Sequence, residues 1–246
     1  MAITLHSTRF GDDPLLVEIL NDPDTGTRKL GSHSPPASVM RLQQALWDLG
    51  WVARVEPTIA RREFVIGAYG PITRKTVVAY KTNYGIHYPP DAPTGFIDAY
   101  AGPRTLARLD RHCALLDAAI SAFTKLEADD DSPFALVVTS GRQRVHPVPG
   151  TRGCTTEMWS GEVPIVGYHH PDAGTFGLQG ELEEHYRLRL GGPTGPLGFP
   201  TSDAAPSPQG MKISLQCGEL WRSSDGLLHH TILGVADPRE DPDDLF

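Results

Sequence analysis

Cys154 is the side chain best suited to covalent chemistry, standing after Thr151-Arg152-Gly153 with His146 upstream. A thiol attacks only as the thiolate, so it needs a nearby base or a positive field. Arg152 supplies charge but accepts no proton. The adjacent pairs His169-His170 and His229-His230 carry metal-ligating imidazoles. Neighbours on a strand point to opposite faces, so neither pair can close on one ion. No metal and no cofactor is therefore expected. Cys113, Cys154 and Cys217 cannot all pair, which excludes a disulfide framework. Cys154 and Cys217 read as small buried apolar residues at near-equivalent places in a repeat.

The elements that hold these residues are turn-rich. Gly191-Gly192-Pro193-Thr194-Gly195-Pro196-Leu197-Gly198-Phe199-Pro200 has four glycines and three prolines in ten residues, which excludes a helix or a central strand. Around it, Gly153-Cys-Thr-Thr-Glu-Met158-Trp159-Ser160-Gly161-Glu162-Val163 and Gly210-Met-Lys-Ile-Ser-Leu215-Gln-Cys217-Gly218-Glu219-Leu220-Trp221 share a skeleton offset by 57 residues. Self-similarity at such a period marks repeated supersecondary units. Leu197-Gly-Phe-Pro200, with these skeletons and the closing segments Gly174–Leu182 and Gly226–Gly234, resembles the LGFP repeat of bacterial cell-wall proteins. The resemblance implies one full unit and a preceding partial unit of short strands over 134–236.

The first half has a helical pattern. Val39, Leu42, Leu46 and Leu49 form an apolar stripe that ends at Gly50. Further helices are predicted from Thr73 after Gly70-Pro71, carrying Val77, Val78 and Tyr80, and from Thr105 after Gly102-Pro103, carrying Leu106 and Leu109. Each Thr is read as an N-cap. Arg41–Trp51, Gly67-Ala-Tyr69-Gly70-Pro-Ile-Thr73 to Lys81, Gly85-Ile86, and Gly95-Phe-Ile-Asp98-Ala-Tyr100-Ala-Gly102-Pro-Arg-Thr105 together resemble the three-helix peptidoglycan-binding domain over 34–112. An insert, Ala53–Ile66, stands where that family has a short Gly-rich turn. Leu115, Leu116, Ala119, Ile120, Phe123 and Leu126 predict an amphipathic connecting helix that packs on the first domain, followed by a polar break, Glu127–Pro133.

Two enzyme resemblances compete. Thr151-Arg152-Gly153-Cys154 resembles the nucleophile motif of L,D-transpeptidases, but Arg152 occupies the place of that family's His. Gly141–Arg152 resembles the entry to LytM-type zinc endopeptidases, but no His follows before His169. The expected protein is therefore a non-catalytic binder of peptidoglycan or cell-wall glycan. The alternatives are a cell-wall-modifying enzyme with its active site in the second domain, or an assembly protein without glycan binding. Ligands of this kind are polar with apolar faces, so aromatic platforms beside a few polar groups are sought. Trp51, Tyr69, Thr73, Tyr84 and Tyr100 in the first domain, and Trp159 and Trp221 in the second, are the candidates. Trp47 and Tyr80 read as core.

Composition sets outer limits. The 246 residues are 39% hydrophobic and 21% charged, enough for a core, while 25 Gly and 22 Pro agree with many turns. A net charge of −8 without a basic stripe argues against nucleic-acid binding. No run approaches a membrane span. The start, Met1-Ala-Ile-Thr-Leu-His-Ser-Thr-Arg-Phe10, has no signal-peptide pattern. The expectation is a cell-wall or extracellular protein exported by a non-classical route from the cytoplasm, with phage-like or contractile particle components as possible partners. The predicted fold is α+β: segment 1–33, helical domain 34–112, connecting helix and linker 113–133, β-rich domain 134–236, and a solvated acidic tail 237–246.

Overall fold

The computed structural model describes residues 5–22, 28–52, 60–88, 95–128, 145–160, 163–234 and 246. Residues 129–133 of the predicted break Glu127–Pro133, the residues 134–144 and the acidic run 237–245 lie outside them, while Glu127 ends a helix. The chain is α+β and divides into an amino-terminal unit ending at Ala114 and a carboxyl-terminal unit from Leu115.

The amino-terminal unit is helical. Helices α1 (Thr8–Gly11) and α2 (Pro14–Leu20) begin at side-chain caps, Ser7 for one and Asp13 for the other. They bury Phe10, Leu16, Ile19 and Leu20, so the segment 1–33 contributes buried side chains to this unit. Helix α3 (Pro36–Asp48) carries the predicted stripe, with Val39, Leu42, Leu46 and Leu49 all buried. It stops where Gly50 takes φ 76°, a left-handed conformation that costs a glycine little. A short helix, α4 (Ala60–Val65), occupies part of the insert.

Helix α5 (Pro71–Asn83) and helix α6 (Pro103–Glu127) start at the prolines, two residues before the predicted threonines. Proline lacks the N–H that a first helical residue leaves unpaired, so it opens a helix at no cost. Thr73 is therefore not the cap. Its N–H and that of Ile72 donate to the Glu63 carboxylate at 2.8 and 2.9 Å, and its hydroxyl accepts from Gln43. The third helix and the predicted connecting helix are one 25-residue element. Its last turns bury Phe123, whose ring lies over Gly167 and edge-on to His169, so the side chain serves the second unit rather than the first.

The carboxyl-terminal unit holds two antiparallel meanders. Strands β1 (Val145–Pro147), β2 (Cys154–Ser160), β3 (Val163–His170) and β4 (Gly174–Gln179) form one sheet in chain order. Strands β5 (Ala205–Ser207), β6 (Gly210–Leu215), β7 (Gly218–Arg222) and β8 (Leu228–Ile232) form the other, also in chain order. The repeated skeleton is thus a repeated β-hairpin. Pairing matches Ser160 with Leu215 and Val163 with Gly218 beside the turns, a spacing of 55 residues rather than 57. A two-residue shift preserves which face each side chain takes. Cys154 opens β2, whereas Cys217 lies in the turn before β7, so the two cysteines are not repeat equivalents. Both are buried, as expected.

Helix α7 (Gly180–Arg189) follows β4 within the segment expected to form short strands. Its Leu182 and Tyr186 join Val166, Tyr168 and Leu178 of the first sheet and Ile213, Leu215 and Leu220 of the second in one core. The Gly- and Pro-rich stretch closes that core. Gly195 passes so close to the Leu190 carbonyl that any Cβ would collide with it. Gly198 takes φ 65°, and its carbonyl accepts from the Tyr186 hydroxyl at 2.6 Å. Leu197 and Phe199 are buried, and their carbonyls accept from the N–H groups of Cys217 and Gln216. The chain's last residue also differs from expectation: Phe246 is buried, and its backbone pairs with Gly150 and Thr151 at 2.9 Å.

Candidate ligand-binding groove

Two short bridges build a groove in the amino-terminal unit. Leu30 pairs with Ala101, which sets Lys29 beside Tyr100, and Tyr88 pairs with Phe96. Helix α5 ends at this place and supplies Lys81; the residues from Ile86 to Tyr88 and the first turn of α6 complete the walls. The groove is a shallow cleft of about 50 Å³, well below an enclosed ligand cavity, so it meets one face of a ligand and does not engulf it.

Its floor is an ion pair. The Lys81 ammonium, with its side chain 5% exposed, donates to the Asp98 carboxylate and, at 3.4 Å, to the Tyr100 carbonyl. Asp98 also accepts from the Tyr100 N–H at 3.3 Å and stands 3.8 Å from the Lys29 ammonium. Lys29 lies 4.2 Å from the Tyr100 ring centroid and 5.7 Å from that of Tyr88. Cation–π attraction holds an ammonium in such a place without removing it from solvent. Around it Tyr88, Phe96 and Tyr100 are 37%, 61% and 39% exposed, with Tyr88 and Phe96 edge to face. Apolar faces, a fixed cation and a buried pair thus converge on one opening.

The candidate aromatics divide sharply. Tyr100 lines the groove. Tyr69 is buried behind it and donates to the Ala99 carbonyl at 2.8 Å; burial pushes its hydroxyl pKa up, keeping it a neutral donor. Trp51 is buried edge-on against Tyr80 and Tyr84, and Tyr84 also meets His112 and the Arg108 guanidinium. Thr73 is fully buried. These three serve the helical core. Tyr80 is core as expected, whereas Trp47 is 39% exposed beside Phe64. In the other unit Trp221 stacks on His229, rings 5.4 Å apart and 18° from parallel. The Trp159 backbone pairs with Pro164 in β2, and its side chain lies outside the described residues. Lys29, Lys81, Tyr88 and Asp98 are groove residues to which the sequence pattern assigns no role, and Phe96 stands edge-on to Tyr88 beside them. Phe96 and Asp98 do stand within the stretch Gly95–Thr105, but the contacts that join these residues come from distant parts of the chain.

The chemistry-bearing residues of the second unit are placed otherwise. The Cys154 thiol is fully buried between Pro147 and His169 in the pairing, and burial pushes its pKa well up, away from the thiolate. His146 is exposed on β1. His169 bonds Thr175 at 2.8 Å, while His170 lies buried against Phe199, so strand neighbours do take opposite faces. His229 meets Trp221, and His230 lies nearest His185. Among the described residues no group of three or more His, Cys, Asp or Glu could hold a metal ion, and no helix is long and apolar enough to cross a membrane. No family model matches this chain, and no curated protein matches it.

His169 carries a pH prediction. Burial, then the neighbouring His170, lowers its pKa from 6.5 to about 4. The unfolded chain therefore binds the extra proton between those values, and stability rises with pH across that window. Acidification from pH 6.5 to 4 is expected to remove about 2 kcal/mol from the carboxyl-terminal unit, since each tenfold difference in proton affinity is worth about 1.4 kcal/mol and partial exposure reduces the total. Denaturant melts at several pH values test this. The loss should shrink in His169→Gln; an unchanged pH profile in that variant refutes the assignment.

Proposed function

We propose that this protein is a non-catalytic binder of bacterial cell-wall peptidoglycan, acting at the wall or outside the cell. The observation that carries the reading is the aromatic groove with its fixed Lys29, found in the unit whose sequence resembles the peptidoglycan-binding domain. Sugar rings and short peptides offer apolar faces edged with polar groups, and Tyr88, Phe96 and Tyr100 offer the matching surfaces. Trp221 supplies a further platform in the LGFP-like unit. The buried, protonated Cys154 supports a non-catalytic reading, because the best nucleophile is neither ionised nor reachable.

The test is sedimentation of the full chain with insoluble peptidoglycan. The wild type should pellet, and Tyr88→Ala with Tyr100→Ala should raise the apparent Kd about tenfold or more, the usual cost of removing a central aromatic contact. Pelleting that survives both replacements would move the site away from this groove. No pelleting of the wild type would reject wall binding and favour a role in assembly alone.

A further inference from the structure

The charges in the groove do not cancel. Asp98 is the one acid among the lining residues, and it is already held by the buried Lys81. Lys29 shares that same carboxylate from 3.8 Å while keeping 34% of its side chain exposed. Arg104, on the first turn of α6, also lines the groove, is exposed, and meets no acid among the described residues. Three cations thus face one anion. The chain as a whole carries −8, so this local excess runs against the general charge of the molecule. A neutral sugar can accept hydrogen bonds from these cations but brings no charge to balance them.

Resting on the wall-binding reading, we propose that the groove selects an anionic muropeptide: a muramyl fragment whose free carboxylate pairs with Lys29 and Arg104 while its sugar or peptide face lies against Tyr88 and Tyr100. The aromatic walls favour this class over phosphate polymers of the wall. Such polymers carry the charge but have little apolar surface to cover the rings. Lys29 is suited to the task because Tyr88 and Tyr100 fix its ammonium before a ligand arrives, so little side-chain freedom is lost on binding. Lys81 is not: it is buried and bound to Asp98, and it sets the floor on which the other two cations stand.

Isothermal calorimetry with the full-length protein tests the proposal using N-acetylmuramyl-L-alanine, its carboxamide, N-acetylmuramic acid, glycerol phosphate and the neutral trimer of N-acetylglucosamine. The acid should bind at least tenfold tighter than its carboxamide, as a charge-assisted pair requires. That gap should close in Lys29→Gln combined with Arg104→Gln. Both residues are exposed, and an unchanged circular dichroism melt verifies folding of the variant. N-acetylmuramic acid binding as tightly as the alanyl acid shows that a lactyl or an alanyl carboxylate satisfies the two cations equally; weaker binding places the recognised carboxylate on the peptide. Equal binding of acid and amide, a persistent gap in the double variant, or tighter glycerol phosphate binding overturns the anionic-muropeptide assignment. If the protein still pellets with peptidoglycan, only that assignment falls. If neither fragments nor insoluble wall bind, the wall-binding reading falls with it.

Discussion

Phe199→Ala should destabilise the carboxyl-terminal unit by about 3–5 kcal/mol, the usual cost of deleting a buried phenylalanine ring. The ring is 2% exposed and sits where the two meanders meet. On one side it fills the space over Gly153, where a Cβ would collide with it; on the same side His170 lies with its ring centroid 4.9 Å away. On the other side the Phe199 backbone is tied to the β6–β7 turn, its N–H donating to the Gln216 side chain at 2.7 Å and its carbonyl accepting from the Gln216 N–H at 2.9 Å. The backbone ties pin this point of the chain, so the surroundings cannot collapse easily into the cavity left by the ring. The upper half of the range is therefore expected. In a unit of this size the thermal midpoint should fall by roughly 10 °C. Phe199→Leu keeps most of the volume and should cost about half as much. Denaturant unfolding followed by the tryptophan signal measures both; a loss below about 1 kcal/mol for the alanine variant would show that the stretch is a surface turn and not the joint between the sheets.

That joint is legible in the sequence as a turn but not as a core element. Four glycines and three prolines announce a folded-back chain, yet nothing in local composition tells that Leu197 and Phe199 point inward from it. Repetition is legible too, because both hairpins spend a glycine where the chain must turn or approach another strand. The 57-residue offset nevertheless follows glycine letters, whereas pairing follows register, and the two differ by one full strand period. The stripe of α3 is plain because four aliphatic residues share one face. Helix α7 is masked because Gly174, Gly177 and Gly180 frame it as strand and turn, although Leu182 and Tyr186 lie at helical spacing and Glu183 pairs with Arg187 one turn on. Asp13-Pro14 is an N-cap followed by a first-position proline, so the letters do carry a signal for α2. The groove is the least legible part. Lys81 and Asp98 lie 17 residues apart, and Lys29 reaches them only because Leu30 bridges Ala101, a closure that no local pattern encodes.

Asp98→Ala should cost the amino-terminal unit about 3 kcal/mol, more than Lys81→Met, although both remove the same ion pair. The difference lies in what each replacement leaves behind. Without Asp98, the nearly buried Lys81 ammonium keeps only the Tyr100 carbonyl at 3.4 Å, and an uncompensated buried charge is the expensive outcome of breaking such a pair. Without Lys81, the Asp98 carboxylate still accepts from the Tyr100 N–H and still faces Lys29 at 3.8 Å, so a cost of about 1–2 kcal/mol is expected. Removing both charges should therefore recover part of the loss: Lys81→Met with Asp98→Ala should be more stable than Asp98→Ala alone. A double-mutant cycle from denaturant unfolding isolates this coupling. Equal costs for the two single replacements, or simple additivity in the double variant, would mean that solvent reaches the pair and that Asp98 does not hold the floor of the groove. The predicted asymmetry would instead show that one carboxylate organises Lys81, Lys29 and the Tyr100 backbone together, which is what a preformed binding surface requires.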